Sequence, residues 1–243
     1  AEMRRLRSKM QIIFQDPFAS LSPRMSIGRS VSHPLRIHST LDQVEIMNRT
    51  HEIMEKVGLI PADYLARKYP HQISGGQRQR VVIARALITR PEFVVADEPI
   101  AMADVSVRAM ILDLMIQLKE EFDLTYLFIT HDLATAKYIC DRIAIMYMGQ
   151  VLEIGPLKEI FKNPVHPYTE SLLAAIPVPD PKYRRTRPIP KGEIPDAINP
   201  PPGCRFQPRC DYAVDGCSRE TPELVRVSGQ HWVACPIRLK AGA

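Results

Sequence analysis

Apolar residues along this chain recur with two different periods. Short unbroken apolar runs predict strands: Gln11-Ile12-Ile13-Phe14 a short strand, and Phe93-Val94-Val95-Ala96 and Leu124 to Thr130 buried strands, as in a parallel sheet. The longer segments between them repeat at helical spacing. Val44, Met47, Met54 and Val57 form one stripe, in which Met47 and Met54 read as core packing. Thr40 is its predicted cap, Gln43 reaches back to it, and Gly58 supplies the stop. Pro61 to Gln72 reads as a loop and short-helix region. Ser106 is the predicted cap of a second helix, with the stripe Ile111, Leu114, Met115 and Leu118. Asp141 to Ile154 predicts two strands about a Met148-Gly149-Gln150 turn. Thr169 to Ile176 predicts a short helix closed by Pro177. Strands and helices alternate, so the expected fold class is α/β.

Two stretches carry chemistry as well as packing. Ser74-Gly75-Gly76-Gln77 opens an apolar helix. Adjacent glycines leave the backbone open to close approach, and a helix start supplies unpaired N–H groups and positive dipole potential. That combination suits a phosphate, although the four residues alone can also be only a turn. About twenty residues on, the strand Phe93–Ala96 delivers Asp97 and Glu98 to its carboxyl end, where open α/β sheets bind ligands. One carboxylate can hold Mg²⁺ while the other polarises a water. The plain alternative is a solvated loop.

Composition narrows the class. With 243 residues, 45% of them apolar and 24% charged, the chain can bury one good core and a small appendage. No apolar run reaches the roughly eighteen residues of a membrane span. No secretory signal opens the sequence, which starts at Ala1. The formal charge of +5 is modest, and the basic run from Lys182 to Arg187 reads as a solvated linker rather than a nucleic-acid or lipid contact. Twelve of the 22 prolines crowd between Pro164 and Pro208, marking a composition break and, up to Pro202, a linker or extended strap. Cys140 stands alone and reads as a small hydrophobe, whereas Cys204, Cys210, Cys217 and Cys235 share the tail as C-x5-C-x6-C-x17-C. This spacing is not that of a zinc ribbon. Four thiolates can bind an iron–sulfur cluster or Zn²⁺, or remain free.

In order, ISGGQRQRVVIARALITRPEFVVADEP, from Ile73 to Pro99, resembles the signature motif and Walker B of ATP-binding cassette (ABC) ATPases, with Ile73 in the place of the usual leucine. QDPFASLSPRMSIG, from Gln15, resembles the Q-loop region of the peptide-transporter branch, and Thr130-His131-Asp132 resembles the switch histidine. MYMGQVLEIGP resembles the terminal hairpin. HPYT, from His166 to Thr169, and the cysteine tail resemble the C-terminal extension of oligopeptide, dipeptide and nickel importer ATPases. His166 itself, between two prolines, reads as a rigid turn residue, and His231 and Trp232 read as packing rather than ligands.

The resemblance implies a partial P-loop NTPase (ABC ATPase) fold with a helical subdomain and a small Cys-rich C-terminal extension. Its expected parts are a partial nucleotide-binding domain over 1–158, with the helical subdomain at 30–75, and the extension over 159–243. It implies ATP and Mg²⁺ as ligands, with Asp97 and Gln15 at Mg²⁺ and Glu98, His131 and Gln15 as the catalytic set. Ser74, Gly75, Gly76 and Gln77 would grip an ATP bound on a second ABC ATPase subunit, paired head to tail as a heterodimer, and Asp104 would connect the two sites. It also implies a [4Fe-4S] cluster at Cys204, Cys210, Cys217 and Cys235, with Zn²⁺ as the alternative. The further partners are two transmembrane permease subunits and, indirectly, an external peptide-binding protein. Nucleic acid is not among them, and the place of work is the cytoplasmic face of the cell membrane.

Two departures qualify this. No G-x-x-x-x-G-K-[ST] segment (Walker A) occurs in the 243 residues, so the sequence is expected to be a fragment, inactive alone. Ile100, Ala101, Met102 and Ala103 also depart from the family's D-loop, with Asp104 retained. A regulatory half that only supplies its signature to a partner's site is therefore an alternative. A soluble ABC-type ATPase acting on DNA or ribosomes is a third reading, opposed by HPYT and the cysteine tail.

Overall fold

A computed structural model gives the structure of the protein and describes residues 2–176, 192–193, 195–196, 198–235 and 237–238. The chain forms two compact units, Ala1–His131 and Asp132–Ala243.

The first unit is built on a parallel sheet in the order β1-β2-β3, with β2 in the centre. Helix α1 (Glu2–Lys9) leads into β1 (Met10–Ile13). A short helix α2 (Pro17–Ser20) follows, then α3 (Ile27–His38), α4 (Gln43–Lys56) and α5 (Ala62–Ala66). Next come α6 (Gly75–Leu87), β2 (Phe93–Asp97), α7 (Val105–Phe122) and β3 (Thr125–Ile129). Ile13 pairs with Ala96, and Asp97 with Ile129, so all three strands end near one level. Val94 and Ala96 are fully buried, and the core continues through Ile27, Val31, Met54, Val57, Val82, Ile83, Ile111, Met115 and Leu118.

The sheet is open on one face, so β3 is not buried as expected. Met10, Ile12, Leu127 and Ile129 occupy one side of the sheet by register and are 40–51% exposed. The helix ends also differ from expectation. Helix α4 is capped by Asp42, whose carboxylate accepts the Glu45 N–H at 2.8 Å, not by Thr40. Gln43 instead accepts from the Arg36 guanidinium. The buried stripe of α4 is Ile46, Thr50, Ile53 and Met54, which leaves Val44 and Met47 exposed. The helix stops as expected, with Gly58 at φ +74° in the left-handed region that glycine tolerates. Asp104, not Ser106, precedes α7, and its side chain makes no capping hydrogen bond.

The second unit begins with α8 (Leu133–Ile139), capped by Asp132. Strands β4 (Arg142–Tyr147) and β5 (Gln150–Pro156) form the expected hairpin. Met148 and Gly149 both have positive φ, the two-residue turn whose twist matches paired strands. Helices α9 (Leu157–Lys162) and α10 (Pro167–Ala175) follow, and β6 (Val225–Ser228) and β7 (His231–Val233) close the unit. The sheet runs β4-β5-β7-β6, all antiparallel, so the cysteine-bearing tail returns to the hairpin and extends it. The position expected for the end of the nucleotide-binding part, residue 158, falls inside this unit. Pro177 and the basic run at 182–187 lie outside the described residues, as does most of the proline-rich strap.

One buried carboxylate organises the second unit. Glu153 on β5 is fully buried and accepts the backbone N–H groups of Val165 and His166 at 2.8 and 3.0 Å. It also lies 2.7 Å from His231 Nε2 on β7. These contacts replace the water that an isolated buried carboxylate would need. His166 caps α10, with Nδ1 accepting the Tyr168 N–H at 3.0 Å. Helix α10 therefore starts at Pro167, two residues before the expected Thr169. Phe206 completes the core against Tyr147 and Tyr168, with ring centroids 5.5 and 5.2 Å away.

Burial pushes the His166 imidazole from its ordinary 6.5 down to about 4. The unfolded chain therefore binds more protons between those two values. The His166 contribution is complete above pH 6.5 and is lost as pH falls towards 4, by roughly 3 kcal/mol at most. Denaturant titrations followed by the fluorescence of Trp232, the only tryptophan, should show this loss. His166→Asn keeps a capping side chain and should flatten the dependence in that window.

Candidate functional site

The glycine-led helix tip forms as the sequence predicts. Ser74 caps α6: its Oγ accepts the Gln77 N–H at 3.2 Å, and Gln77 Oε1 accepts the Ser74 N–H at 3.0 Å. This reciprocal pair fixes the first turn and leaves the neighbouring N–H groups at the tip without helical partners. The two glycines differ. A Cβ on Gly75 would meet nothing within 4 Å, so this backbone is open to approach. A Cβ on Gly76 would lie 3.2 Å from Val107 Cγ1, so Gly76 allows the tip to pack against α7.

The acid pair lies at the carboxyl end of β2. Asp97 is the last strand residue and is half-buried. Glu98 continues the ladder by one bond, its N–H donating to Ile129 O at 3.0 Å. Its φ of +43° then turns the chain off the sheet, a conformation uncommon for a side chain larger than glycine. The turn closes through the Ala101 N–H, which donates to Glu98 O at 3.1 Å.

Three sequence-predicted residues meet here. Gln15, two residues past β1, donates through Nε2 to Glu98 Oε2 at 3.0 Å. His131, two residues past β3, places Nδ1 3.0 Å from Glu98 Oε1. Each oxygen of one carboxylate thus has its own partner, and the three side chains come from the ends of three adjacent parallel strands. His131 is 76% exposed and the Glu98 side chain 23%. An exposed amide and an exposed imidazole bracket a half-buried carboxylate, an arrangement suited to orienting a water and taking its proton. Asp104 stands apart from this group, at the start of α7.

The cysteine tail is placed differently from expectation. Cys204, Cys210, Cys217 and Cys235 are all free and partly buried. The Cys204 N–H donates to Cys217 O at 2.8 Å, and Cys204 and Cys210 pack against the Phe206 core. Burial pushes the Cys204 thiol up, with Cys217 and Cys235 adding to the shift, and pushes the Cys210 thiol up to about 11, with Cys235, Cys204 and Cys217 adding. Yet no three His, Cys, Asp or Glu residues are arranged to hold a metal ion among the described residues. The four-thiolate ligand set expected for a cluster or zinc is not assembled in this structure. His231 is not a ligand either, being held by Glu153.

Sequence reading missed four contacts made by three arginines of helix α6. Arg78 lies over the Phe18 ring and donates to Pro70 O, Arg85 donates to Ser20 O, and Arg80 donates to Val57 O. Guanidinium donors inside a helical repeat carry no signal of which backbone oxygen they will find.

A parallel sheet with a carboxylate, an amide and an imidazole at its carboxyl end, and a capped glycine tip nearby in sequence, defines a nucleotide-hydrolysing domain of the ATP-binding cassette class. Residues 1–101 match the ABC transporter family, and residues 152–217 match the oligopeptide/dipeptide transporter C-terminal region. A putative peptide import ATP-binding protein of Brucella ovis is 48% identical over 234 residues, 96% of this chain and 73% of that one. The oligopeptide transport ATP-binding protein OppF of Escherichia coli is 46% identical over 237 residues, 96% of this chain and 70% of that one. Among solved structures, cbiO1 from Clostridium perfringens, part of the ABC transporter complex cbiONQ, aligns with a TM-score of 0.58 at 31% identity, over 65% of this chain and 61% of that one. A dimeric ATP-binding cassette in a post-hydrolysis state, bound to ADP and Pi, aligns with a TM-score of 0.56 at 30% identity, over 64% and 66%. The chain belongs to the ABC transporter ATP-binding proteins of the oligopeptide/dipeptide branch. It spans less than two thirds of cbiO1 and about three quarters of the Brucella protein.

The two glycines give separable outcomes. Gly75→Ala should leave thermal stability unchanged or slightly raised, because alanine is the better helix former by about 1 kcal/mol and meets no neighbour. Gly76→Ala should lose stability unless Val107 yields, and Val107→Ala should restore it. Thermal midpoints of the three variants check this.

Proposed function

We propose that this chain is the ATP-hydrolysing part of a peptide importer, converting ATP hydrolysis into uptake across the cytoplasmic membrane. The observation that carries the reading is the Glu98 carboxylate held between Gln15 and His131 at the end of the central parallel strand. The names of the relatives, at 46–48% identity, support peptides as the cargo.

In this reading, in an intact subunit that also carries a Walker A segment, Glu98 takes a proton from the water that attacks the γ-phosphate. Gln15 orients that water, and His131 holds the carboxylate and meets the charge that develops on the phosphoryl oxygens. Asp97, with Gln15, supplies the hard oxygen donors that suit Mg²⁺, and the ion neutralises phosphate charge when bound. Ser74, Gly75, Gly76 and Gln77 face the ATP of a second ABC ATPase subunit in a head-to-tail heterodimer, and Asp104 links the two sites. Two permease subunits and an external peptide-binding protein complete the assembly at the cytoplasmic face of the membrane. No helix among the described residues is long and apolar enough to cross a membrane, which accords with a peripheral place. The 243 residues contain no G-x-x-x-x-G-K-[ST] segment, so alone they are proposed to bind no ATP of their own. The tail thiols enter this reading as packing groups. A brown protein after anaerobic purification would reinstate the iron–sulfur cluster.

A second reading, a regulatory half that only completes its partner's site, draws on the altered segment Ile100 to Ala103 and the uncapped Asp104. Nucleotide trapped at one site per assembled pair, rather than two, would favour it.

The test is transport in vesicles carrying the whole assembly. ATP hydrolysis and peptide uptake should rise together, and Gly75→Ala should lower both by about 100-fold through loss of close approach. Uptake indifferent to ATP, or Gly75→Ala working at the parental rate, contradicts the reading.

A further inference from the structure

We propose that Arg78 and Arg85 are positioning residues that strap the signature helix α6 to the Q-loop helix α2, so that movement of the glycine-led tip resets Gln15 on Glu98. The inference rests on the function proposed above and assigns it a mechanical link.

Gln15 is followed at once by a rigid turn. Asp16 caps α2, its Oδ1 accepting the N–H groups of Phe18 and Ala19 at 2.7 and 3.2 Å, and the Ser20 N–H returns to Asp16 O at 3.1 Å. Helix α6 holds this turn at two points. The Arg78 guanidinium lies 4.0 Å from the centre of the Phe18 ring. Arg85 Nη1 donates to Ser20 O at 2.5 Å. Arg78 also reaches backwards: its Nε donates to Pro70 O at 2.6 Å, in the 3-10 turn Pro70–Gln72 that runs into Ser74.

Arg78 therefore touches both the segment that sets the tip and the segment that sets Gln15. It sits one helical turn beyond Ser74, and Arg85 lies two turns further along the same hydrogen-bonded rod. A displacement at Ser74 is carried to both arginines together, because the helix cannot stretch without breaking its ladder. Through Phe18 and Ser20 it reaches a capped turn whose preceding residue is Gln15, and Gln15 Nε2 is bonded to Glu98 Oε2. The Arg78 guanidinium offers a planar face to the Phe18 ring.

Phe18 is 59% exposed, and no buried core depends on its ring. It can be changed with little risk to folding, which makes the strap testable. In the assembled transporter, Phe18→Leu and Arg78→Gln should each lower kcat for ATP about tenfold with KM within about twofold. The double variant should be no slower than Arg78→Gln alone, because Phe18→Leu removes a contact that Arg78→Gln already removes. Phe18→Tyr keeps the ring face and should remain near the parental rate. Backbone amide exchange across Phe18 to Ser20, measured on the same assembly, should quicken in Arg78→Gln and in Arg85→Gln. Unchanged kcat in both single variants, multiplying losses in the double, or a Phe18→Tyr variant as slow as Phe18→Leu would overturn the coupling. If the parental assembly hydrolyses no ATP, the proposed function fails, and amide exchange alone then decides the strap: quickened exchange upholds it and unchanged exchange overturns it.

Discussion

The first unit depends on one carboxylate being turned out of a parallel sheet and caught on both sides. Glu98 lies one step past β2, and its backbone N–H still bonds to Ile129 O on the neighbouring strand. That bond fixes where the strand ends. The positive φ that follows costs on the order of 1–2 kcal/mol for a residue other than glycine. The three-strand frame offsets it, because β1 and β3 end at the same level and bring Gln15 and His131 to opposite oxygens of the same side chain. Parallel register, not local sequence, makes the site.

The same logic governs the glycine-led tip. A capping box closes the first turn of α6 with its own side chains, so the tip needs no outside help to hold its shape. Gly75 then remains open while Gly76 seats the helix on α7. In the second unit, Glu153 plays the organising part. One buried carboxylate gathers the start of α10 and strand β7 around β5, and the aromatic cluster at Phe206 fills the space beside it.

Much of this was legible in the sequence, and the failures have physical causes. Short apolar runs located all three parallel strands, and Ser74 with Gln77 located the cap of α6, because each is a local pattern. Two caps were misplaced for the same reason. Thr40 and Ser106 are good capping residues, but Asp42 caps α4, and α7 begins at Val105, after Asp104, without any side-chain cap. Met47 sits at a helical spacing from Met54, yet a stripe drawn from four residues could be rotated by one position, and Ile46 is the residue that faces inward. The meeting of Gln15, Glu98 and His131 followed from their likeness to family motifs, since residues 83 and 33 positions apart carry no local signal of contact. The return of the tail to the hairpin, the Glu153–His231 pair and the arginine contacts of α6 are long-range choices that no pattern announces. The tail cysteines show the reverse. They are grouped in sequence, but Cys204 and Cys210 pack against Phe206, where burial pushes their thiols up, and no metal-holding group is assembled among the described residues.

The central claim is that Glu98 is the base and that its two neighbours serve it. The most direct measurement is a single-turnover experiment on the assembled transporter with Glu98→Gln, an exchange that keeps shape and hydrogen bonding while removing basicity. Cleavage of bound ATP should slow by on the order of 10² to 10⁴, while ATP is still held and the paired subunits stay closed on it. Cleavage at the parental rate, with ATP held equally well, would contradict the account.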